Sequence, residues 1–181
     1  FADGTSWTWE QMVQEGIKQV GTDAGETFIG WAGRDVIHAG AGNDTLDGGT
    51  GSNTLYGEAG DDILKVATSS NGNLLSGGTG NDSLTGGYYA DTYLFNLGDG
   101  VDTITEMRSG STYTYTDVLR FGAGISATDI QTQRVGVDLV FAHSNGVDKV
   151  VLKNAFDSSS SIANAVAASI IEKVEFADGT S

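Results

Sequence analysis

The sequence predicts an all-β fold, a solenoid of short strands wound in regular coils, and three observations lead to that prediction. A nine-residue unit, G-G-x-G-x-D-x-U-x with U a large apolar residue, recurs in phase eight times. One apolar residue in every nine fits neither an amphipathic helix nor an ordinary alternating strand. Glycine-rich turns between the apolar positions adopt positive φ at little cost and let neighbouring coils approach closely. Each short strand is therefore expected to point one side chain into a narrow core.

Two positions of the unit define the expected core and the expected site. Position eight is apolar in every copy and is filled by Phe28, Ile37, Leu46, Leu55, Leu64, Leu75, Leu84 and Tyr93. Position six is acidic or Asn and is filled by Glu26, Asp35, Asp44, Asn53, Asp62, Asn73, Asp82 and Asp91. Carboxylates stacked at this spacing repel one another. A cation with six to eight oxygen ligands at about 2.3–2.6 Å relieves the repulsion, and Ca²⁺ fits better than Mg²⁺, which demands a tighter octahedron. Without the ion, we expect this segment to be unfolded.

The repeats resemble those of the RTX (repeats-in-toxin) family. The segment 91–95 followed by 98–104 resembles the end of an RTX array, and the segments 119–130 and 176–180 resemble the haemolysin-type calcium-binding-related domain that follows such arrays. The resemblance implies a parallel β-roll in which each coil takes two nonapeptides. It also implies several Ca²⁺ ions, each between turns that lie two repeats apart on the same side, held by position-six carboxylates and by backbone carbonyls from the first four positions.

Coils of two units place alternate turns on two edges of the predicted roll. The first, the acidic edge, carries Glu26, Asp44, Asp62, Asp82 and Asp102. The second, the asparagine edge, carries Asp35, Asn53, Asn73 and Asp91, and Asp117 continues it through its D-x-U spacing. Because Asn offers a neutral oxygen where Asp offers a charge, we expect about four ions on the acidic edge and fewer or weaker ions on the asparagine edge.

Two departures from the repeat are expected to weaken the asparagine edge further. Val66 and Ala67 read as an insertion before a degenerate loop, residues 68–73. Tyr89 replaces the glycine of position four, where a Cβ is disfavoured if φ is positive.

The resemblance implies a set of metal ligands that contribute side chains or backbone carbonyls. On the acidic edge they are Gly21, Asp23, Glu26, Ala39, Gly40, Ala41, Gly42, Asp44, Gly57, Glu58, Ala59, Gly60, Asp62, Gly77, Gly78, Thr79, Gly80, Asp82, Gly98, Gly100 and Asp102. On the asparagine edge they are Gly30, Ala32, Asp35, Gly49, Gly51, Asn53, Gly86, Tyr88, Asp91 and Asp117.

The regions outside the array are expected to cover the two ends of the roll, which we place at residues 21–106. At the N-terminus, residues 1–20, a capping box at Thr8–Gln11 opens a short helix to about Val20. The C-terminal region, residues 107–181, is predicted to be an antiparallel β cap that follows a polar loop, 108–116. Its strands are expected at 118–121, 130–134, 138–142, 149–152 and 170–176, with turns at Gly136 and Asn145-Gly146, a loop at 158–161 and a helix at 162–169.

Composition narrows the possible partners. The net charge of −15 argues against binding nucleic acid or an anionic membrane. No stretch of about 18 apolar residues exists, so no membrane span is predicted. The absence of Cys suits a secreted bacterial protein that folds outside the cell without disulfides. The resemblance implies type I secretion through an uncleaved C-terminal signal, although we identify no such signal in this chain, and residues 1–4 do not read as a signal peptide.

The sequence also contains a second, longer-range repeat. The hexapeptide Phe1–Ser6 recurs as Phe176–Ser181. Its simplest interpretation is that the chain is one unit of a tandem array, whose neighbouring units would be its partners. A phrase common in the family is the alternative interpretation.

Three functions fit the sequence to different degrees. The first is a non-enzymatic calcium-binding module of a large secreted protein, a spacer or adhesin-type repeat that folds on Ca²⁺ binding after export, with an unknown extracellular partner. The second is the C-terminal part of a secreted protease or lipase. His38 and His143 are the only histidines, and neither H-E-x-x-H nor G-x-S-x-G occurs, so no catalysis is predicted within this chain. The third is an ice- or ligand-binding Thr ladder, which Val36, Ile63 and Leu74 interrupt.

Overall fold

The computed structural model describes residues 18–68, 72–107, 115–156 and 171–180. Within these ranges the chain is almost entirely β-structure, with one 3₁₀ turn at Ala127–Asp129. The strands are β1 Lys18–Val20, β2 Thr27–Ile29, β3 Val36–His38, β4 Thr45–Asp47, β5 Thr54–Ala59, β6 Ile63–Lys65, β7 Leu74–Thr79, β8 Ser83–Thr85, β9 Thr92–Phe95, β10 Val101–Thr105, β11 Val118–Phe121, β12 Ile130–Val135, β13 Asp138–His143, β14 Lys149–Leu152 and β15 Lys173–Phe176. The all-β class is therefore confirmed.

Successive strands of the repeat array alternate between two sheets. One sheet has the order β1-β3-β5-β7-β9-β11-β15, and the other has the order β12-β13-β14-β10-β8-β6-β4-β2. Within the array every pair is parallel and in register, so that Leu46 lies opposite Leu64 and Leu55 opposite Leu75. One coil thus takes two nonapeptides, which is the predicted parallel β-roll.

The position-eight side chains fill the space between the sheets, as the repeat predicts. Seven of the eight are at most 1% exposed, and Phe28, at the start of the array, is 9% exposed. The same core continues beyond the repeats through Leu119, Phe121, Val150 and Leu152. The Phe121 ring stacks on Phe176 with centroids 5.2 Å apart and meets Phe95 edge-on at 6.0 Å. The C-terminal region therefore shares the core of the roll.

The turns need glycine where the chain passes closest to the preceding coil. Gly60 has a φ of 132°, and an added Cβ would overlap the carbonyl oxygen of Gly42. The concern about Tyr89 was wrong, because its φ is not positive. Among the described residues of the repeats, Glu58 is the non-glycine residue with a left-handed backbone, at a φ of 77°.

The antiparallel prediction for the C-terminal region was only partly right. The hairpin of β12 and β13 and the pair β13–β14 are antiparallel. In contrast, β11 pairs in parallel with both β9 and β15, and β14 pairs in parallel with β10. The strands predicted at 118–121 and 149–152 have those bounds, and Gly136 and Gly146 lie in the predicted turns with positive φ. The region extends both sheets of the roll before the hairpin reverses direction.

Lys18–Val20 forms strand β1 where the sequence predicts the end of a helix, because these residues pair with Val36–His38. The rest of the predicted N-terminal helix, most of the 108–116 loop, the 158–161 loop and the 162–169 helix lie outside the described residues. Within the part of the chain that the structure describes, no helix has the length and apolar character required to cross a membrane.

Candidate metal centre

The position-six carboxylates of the acidic edge form a continuous ladder inside the turns. One oxygen of each, Oδ1, accepts a hydrogen bond from the backbone N–H of the position-six residue one coil earlier. The donor–acceptor distances are 2.6 Å for Glu26 N to Asp44, 2.7 Å for Asp44 N to Asp62, 2.7 Å for Asp62 N to Asp82 and 3.2 Å for Asp82 N to Asp102. The ladder fixes these side chains in one row.

The second oxygens of this row lack donors. The Oδ2 atoms of Asp44, Asp62 and Asp82 are buried and accept no hydrogen bond from any residue that the structure describes. Beside Asp62 Oδ2 lies a space that only a glycine leaves open, since a Cβ added to Gly57 would overlap that oxygen and stand 2.5 Å from the Gly77 carbonyl oxygen. A buried carboxylate oxygen without a donor is strongly unfavourable. Carboxylate and carbonyl oxygens around such a space are the ligands that suit Ca²⁺, so the residues fit the ion.

Electrostatics at the acidic edge also favour a compensating cation. Burial, with repulsion from neighbouring carboxylates, raises the pKa of Asp62 to about 6, that of Asp82 to about 7 and that of Asp102 to about 9. Like charges in a shared low-dielectric site disfavour ionisation. In the absence of a cation, the raised pKa keeps Asp102 protonated at neutral pH and leaves Asp82 partly protonated, whereas Asp62 is mostly ionised.

The asparagine edge has the same ladder but a different chemistry. Asn53 Oδ1 accepts from Asp35 N at 3.0 Å, and Asn73 Oδ1 accepts from Asn53 N at 2.9 Å. Each Asn has its one carbonyl oxygen in the ladder and turns an NH₂ group toward the position where an Asp would present its second oxygen. Asn73 Nδ2 donates to Asp91 Oδ1 at 2.6 Å, and Asn53 Nδ2 is buried without a partner among the described residues. An amide NH₂ carries only donors and is no cation ligand.

The acids of the asparagine edge also use their second oxygens. Asp35 Oδ2 accepts from Trp31 N, and Asp91 Oδ2 accepts from Gly87 N, both at 2.7 Å. On the acidic edge, Glu26 Oε2 does the same with Thr22 N at 2.6 Å. The unsatisfied acceptors are therefore concentrated at Asp44, Asp62 and Asp82.

The structure brings the predicted turn residues together edge by edge. The parallel bridges Ala32↔Thr50, Ala41↔Ala59 and Gly80↔Gly100 align the turns of successive coils. The side chains of Asp23 and Tyr88 are exposed, so they lie outside the row of buried carboxylates. His38, away from the site, stacks on Tyr56 with centroids 4.7 Å apart and contacts Glu58 at 2.8 Å.

Sequence reasoning missed four further acidic residues, two at the end of the roll and two in the C-terminal region. Glu172 continues the asparagine-edge ladder, because its Oε2 accepts from Asp117 N at 2.7 Å and the E-x-U spacing of Glu172–Val174 marks the position. Asp148 has the same spacing but is out of register: it aligns with Gly100 and accepts from Gly98 N at 2.8 Å. Asp99 and Glu106 are buried without such a signal, and Glu106 aligns with Gly86, a position-one glycine.

The fold and the carboxylate row define a parallel β-roll with cation-binding turns. The RTX calcium-binding nonapeptide repeat matches residues 20–55, 42–65 and 68–104, and the haemolysin-type calcium binding protein related domain matches residues 138–181. The chain therefore belongs to the RTX family, and neither matched family is catalytic.

Comparisons with the curated proteins and with the solved structures add little to this assignment. A search of the curated proteins gave no match. Among solved structures, the extracellular lipase LipA from Serratia marcescens is similar at 15% identity and a TM-score of 0.34, over 76% of this chain and 36% of that chain. The chain thus spans about a third of the length of that lipase.

Proposed function

We propose that this chain is a non-catalytic, calcium-dependent folding module of a larger secreted bacterial protein. The observation that carries the proposal is the row of buried Oδ2 atoms at Asp44, Asp62 and Asp82 that lack donors. An ion that binds this row in the folded chain, and not in the unfolded chain, stabilises the fold by mass action. Calcium binding and folding are then one equilibrium.

The ions are assigned mainly to the acidic edge. About four Ca²⁺ ions lie between successive carboxylates, from Glu26 and Asp44 at one end to Asp82 and Asp102 at the other, with turn carbonyls as further ligands. Fewer or weaker ions lie on the asparagine edge, because each Asn has its carbonyl oxygen in the ladder. The ladder has the same geometry on both edges, which supports this contrast. The edges differ chiefly in the atom that each side chain keeps outside the ladder, an oxygen for Asp and an NH₂ group for Asn.

The proposed role follows from where calcium is found. RTX repeats are typical of secreted bacterial proteins. In the cytosol, where Ca²⁺ is scarce, the glycine-rich and acidic chain stays unfolded and suited to type I export. Outside the cell the ion folds it into a stiff element, a spacer or adhesin-type repeat. The hexapeptide shared by residues 1–6 and 176–181 supports neighbouring units of the same kind.

Circular dichroism of the 181-residue chain tests the proposal. In EDTA we expect the β signal to be lost, and in millimolar Ca²⁺ we expect it to return in a cooperative transition. Equal Mg²⁺ is the matched control and is expected not to restore it, because Mg²⁺ requires a smaller octahedron. Identical spectra in EDTA and in Ca²⁺ would refute the proposal.

A further inference from the structure

A groove of about 600 Å³ lies on the outside of the roll, where the turns of the asparagine edge lead into one of the two sheets. Its lining includes Arg34 and Ser52 from two turns, Thr54 and Thr92 from the starts of β5 and β9, and Arg120 from β11. From β3, which follows Arg34, to β11 the sheet has five adjacent strands, so the groove extends over about 19 Å at about 4.8 Å for each strand spacing. Its length suits an extended chain molecule.

The groove is cationic although the protein is acidic. The chain has 24 acidic and 9 basic residues, yet two arginines and no Asp or Glu of the described residues line this groove. Arg34 is exposed and forms no ion pair with a residue that the structure describes. The acids of the same edge, Asp35 and Asp91, are buried and bonded to backbone N–H groups inside the turns. The groove surface is therefore complementary to a negatively charged ligand.

Arg120 is held at the other end of the groove by Glu175. Its Nε and Nη2 both donate to Glu175 Oε2, at 2.9 Å and 2.8 Å, and Lys173 Nζ contacts Glu175 Oε1 at 2.7 Å. A guanidinium group carries five N–H donors in a rigid plane, so this ion pair leaves Arg120 with further donors in a fixed orientation. The two cations and one carboxylate also leave a net positive charge at this end.

The lining favours a saccharide over a peptide. A peptide that adds a strand needs an open sheet edge, but β5, β7 and β9 each pair with a strand on both sides. The hydroxyl groups of Thr54 and Thr92, beside the arginines, match a ligand rich in hydroxyl and oxyanion groups. Two aromatic side chains of this edge are also exposed, Trp31 at 52% and Tyr88 at 39%, and such rings combine an apolar face with a polar tip.

We propose that this groove binds an anionic saccharide chain, one that carries sulfate or carboxylate groups, with Arg34 and Arg120 as the charged contacts. A guanidinium group binds such oxyanions through two parallel hydrogen bonds. The site lies outside the row of buried carboxylates and goes beyond calcium-dependent folding. Calcium folds the roll, and the outside of the folded roll then supplies the binding surface.

Fluorescence anisotropy of labelled tetrasaccharides, with the full chain in saturating Ca²⁺, tests the proposal. We expect chondroitin sulfate and hyaluronate tetrasaccharides to bind and neutral maltotetraose not to bind. Binding of the first alone identifies sulfate as the recognised group, and binding of both identifies the carboxylate as sufficient. Absence of binding by both, or equal binding of maltotetraose, overturns the site.

Two matched pairs of variants locate the contact. Arg34→Ala is expected to weaken binding about tenfold or more. Lys65→Ala removes an exposed cation from the opposite sheet, changes the net charge equally and is expected to bind as the wild type does. Equal losses in the two variants would mean that net charge alone matters, which overturns the groove as the site.

The second pair tests Arg120 by a gain of affinity. Glu175→Gln removes the carboxylate that competes for the Arg120 guanidinium, so binding is expected to tighten. Asp47→Asn breaks the ion pair with Lys65 on the other sheet, with the same change in charge, and is expected to leave the affinity unchanged. An affinity of Glu175→Gln no higher than that of Asp47→Asn overturns the proposal. Circular dichroism separates the outcomes: a chain that does not fold in Ca²⁺ contradicts the proposed function, whereas a folded chain that binds no anionic saccharide overturns this site alone.

Discussion

The substitution Asp62→Asn isolates the contribution of one cation ligand. The Asn side chain retains an Oδ1 that accepts the hydrogen bond from Asp44 N, now 2.7 Å long, and replaces Oδ2 with an NH₂ group. The backbone ladder and the core are therefore unchanged, while the row of second oxygens loses its central member. The chain already contains this arrangement at Asn53, so the substitution converts a position of the acidic edge into one of the asparagine edge.

The magnitude follows from the coupling of several ions to one folding transition. Removing one partner from a buried, compensated pair of charges costs about 3–5 kcal/mol. If about four ions bind on folding, a tenfold change in Ca²⁺ concentration changes the free energy of unfolding by about 5.6 kcal/mol, at about 1.4 kcal/mol for each ion. The Ca²⁺ midpoint of Asp62→Asn is therefore expected to rise about three- to eightfold over that of the wild type.

Calcium titration followed by circular dichroism measures this midpoint, and Asn53→Ala is the matched control. The control removes the ladder acceptor of Asp35 N, a 3.0 Å bond, but no carboxylate oxygen. Leaving the buried Asp35 N–H without its acceptor costs about 1–3 kcal/mol, which corresponds to a rise of about 1.5- to 3.5-fold. The reasoning fails if Asp62→Asn has the midpoint of the wild type, or if Asn53→Ala shifts the midpoint more than Asp62→Asn does.

Three other outcomes are expected. In EDTA, the raised pKa values of Asp82 and Asp102 mean that the folded chain binds more protons than the unfolded chain. The residual β signal should therefore be greatest near pH 4 and should fall as the pH rises through about 7 to 9. Glu58→Gly relieves a φ of 77°, a strain of about 1 kcal/mol, and should lower the Ca²⁺ midpoint, whereas Gly60→Ala should raise it. A chain that ends at Glu106 lacks β11, β14 and β15 and should need more Ca²⁺ to fold; an equal midpoint would show that the C-terminal region is a passive neighbour.

The repeat array could be predicted from the sequence because its period fixes the geometry directly. Once every ninth residue is apolar and faces inward, the position-six residues fall into rows, and the ladder from Asp44 to Asp102 follows. The spacing does not say which atom of each side chain enters the ladder. The position of the Asn53 and Asn73 carbonyl oxygens in the ladder therefore became visible only with the hydrogen bonds in place.

The C-terminal region was harder to predict because strand direction is not encoded in apolar alternation. Val118–Phe121 and Lys149–Leu152 have the composition of hairpin strands, yet both extend the roll in parallel. The tertiary register also determines which of the missed acidic residues join a ladder. Glu172 and Asp148 share the same local spacing, but of these two only Glu172 is aligned with the position-six row. Glu106 has no local signal beyond the replacement of an expected glycine.

At the far end of the roll, the regular stacking of coils and carboxylates ends because the strand direction changes and an apolar residue replaces the next carboxylate. Val150 pairs with Asp102, so an apolar residue ends the row of carboxylates on the acidic edge. The next strand, β13, runs antiparallel, and β12 beyond it presents an exposed, polar surface through Gln131, Thr132 and Gln133. An edge strand of this kind is a poor template for another parallel coil. On the opposite sheet the ladder ends instead in Glu172, next to the Asp91, Glu106 and Asp117 cluster, so the two edges are closed by different means.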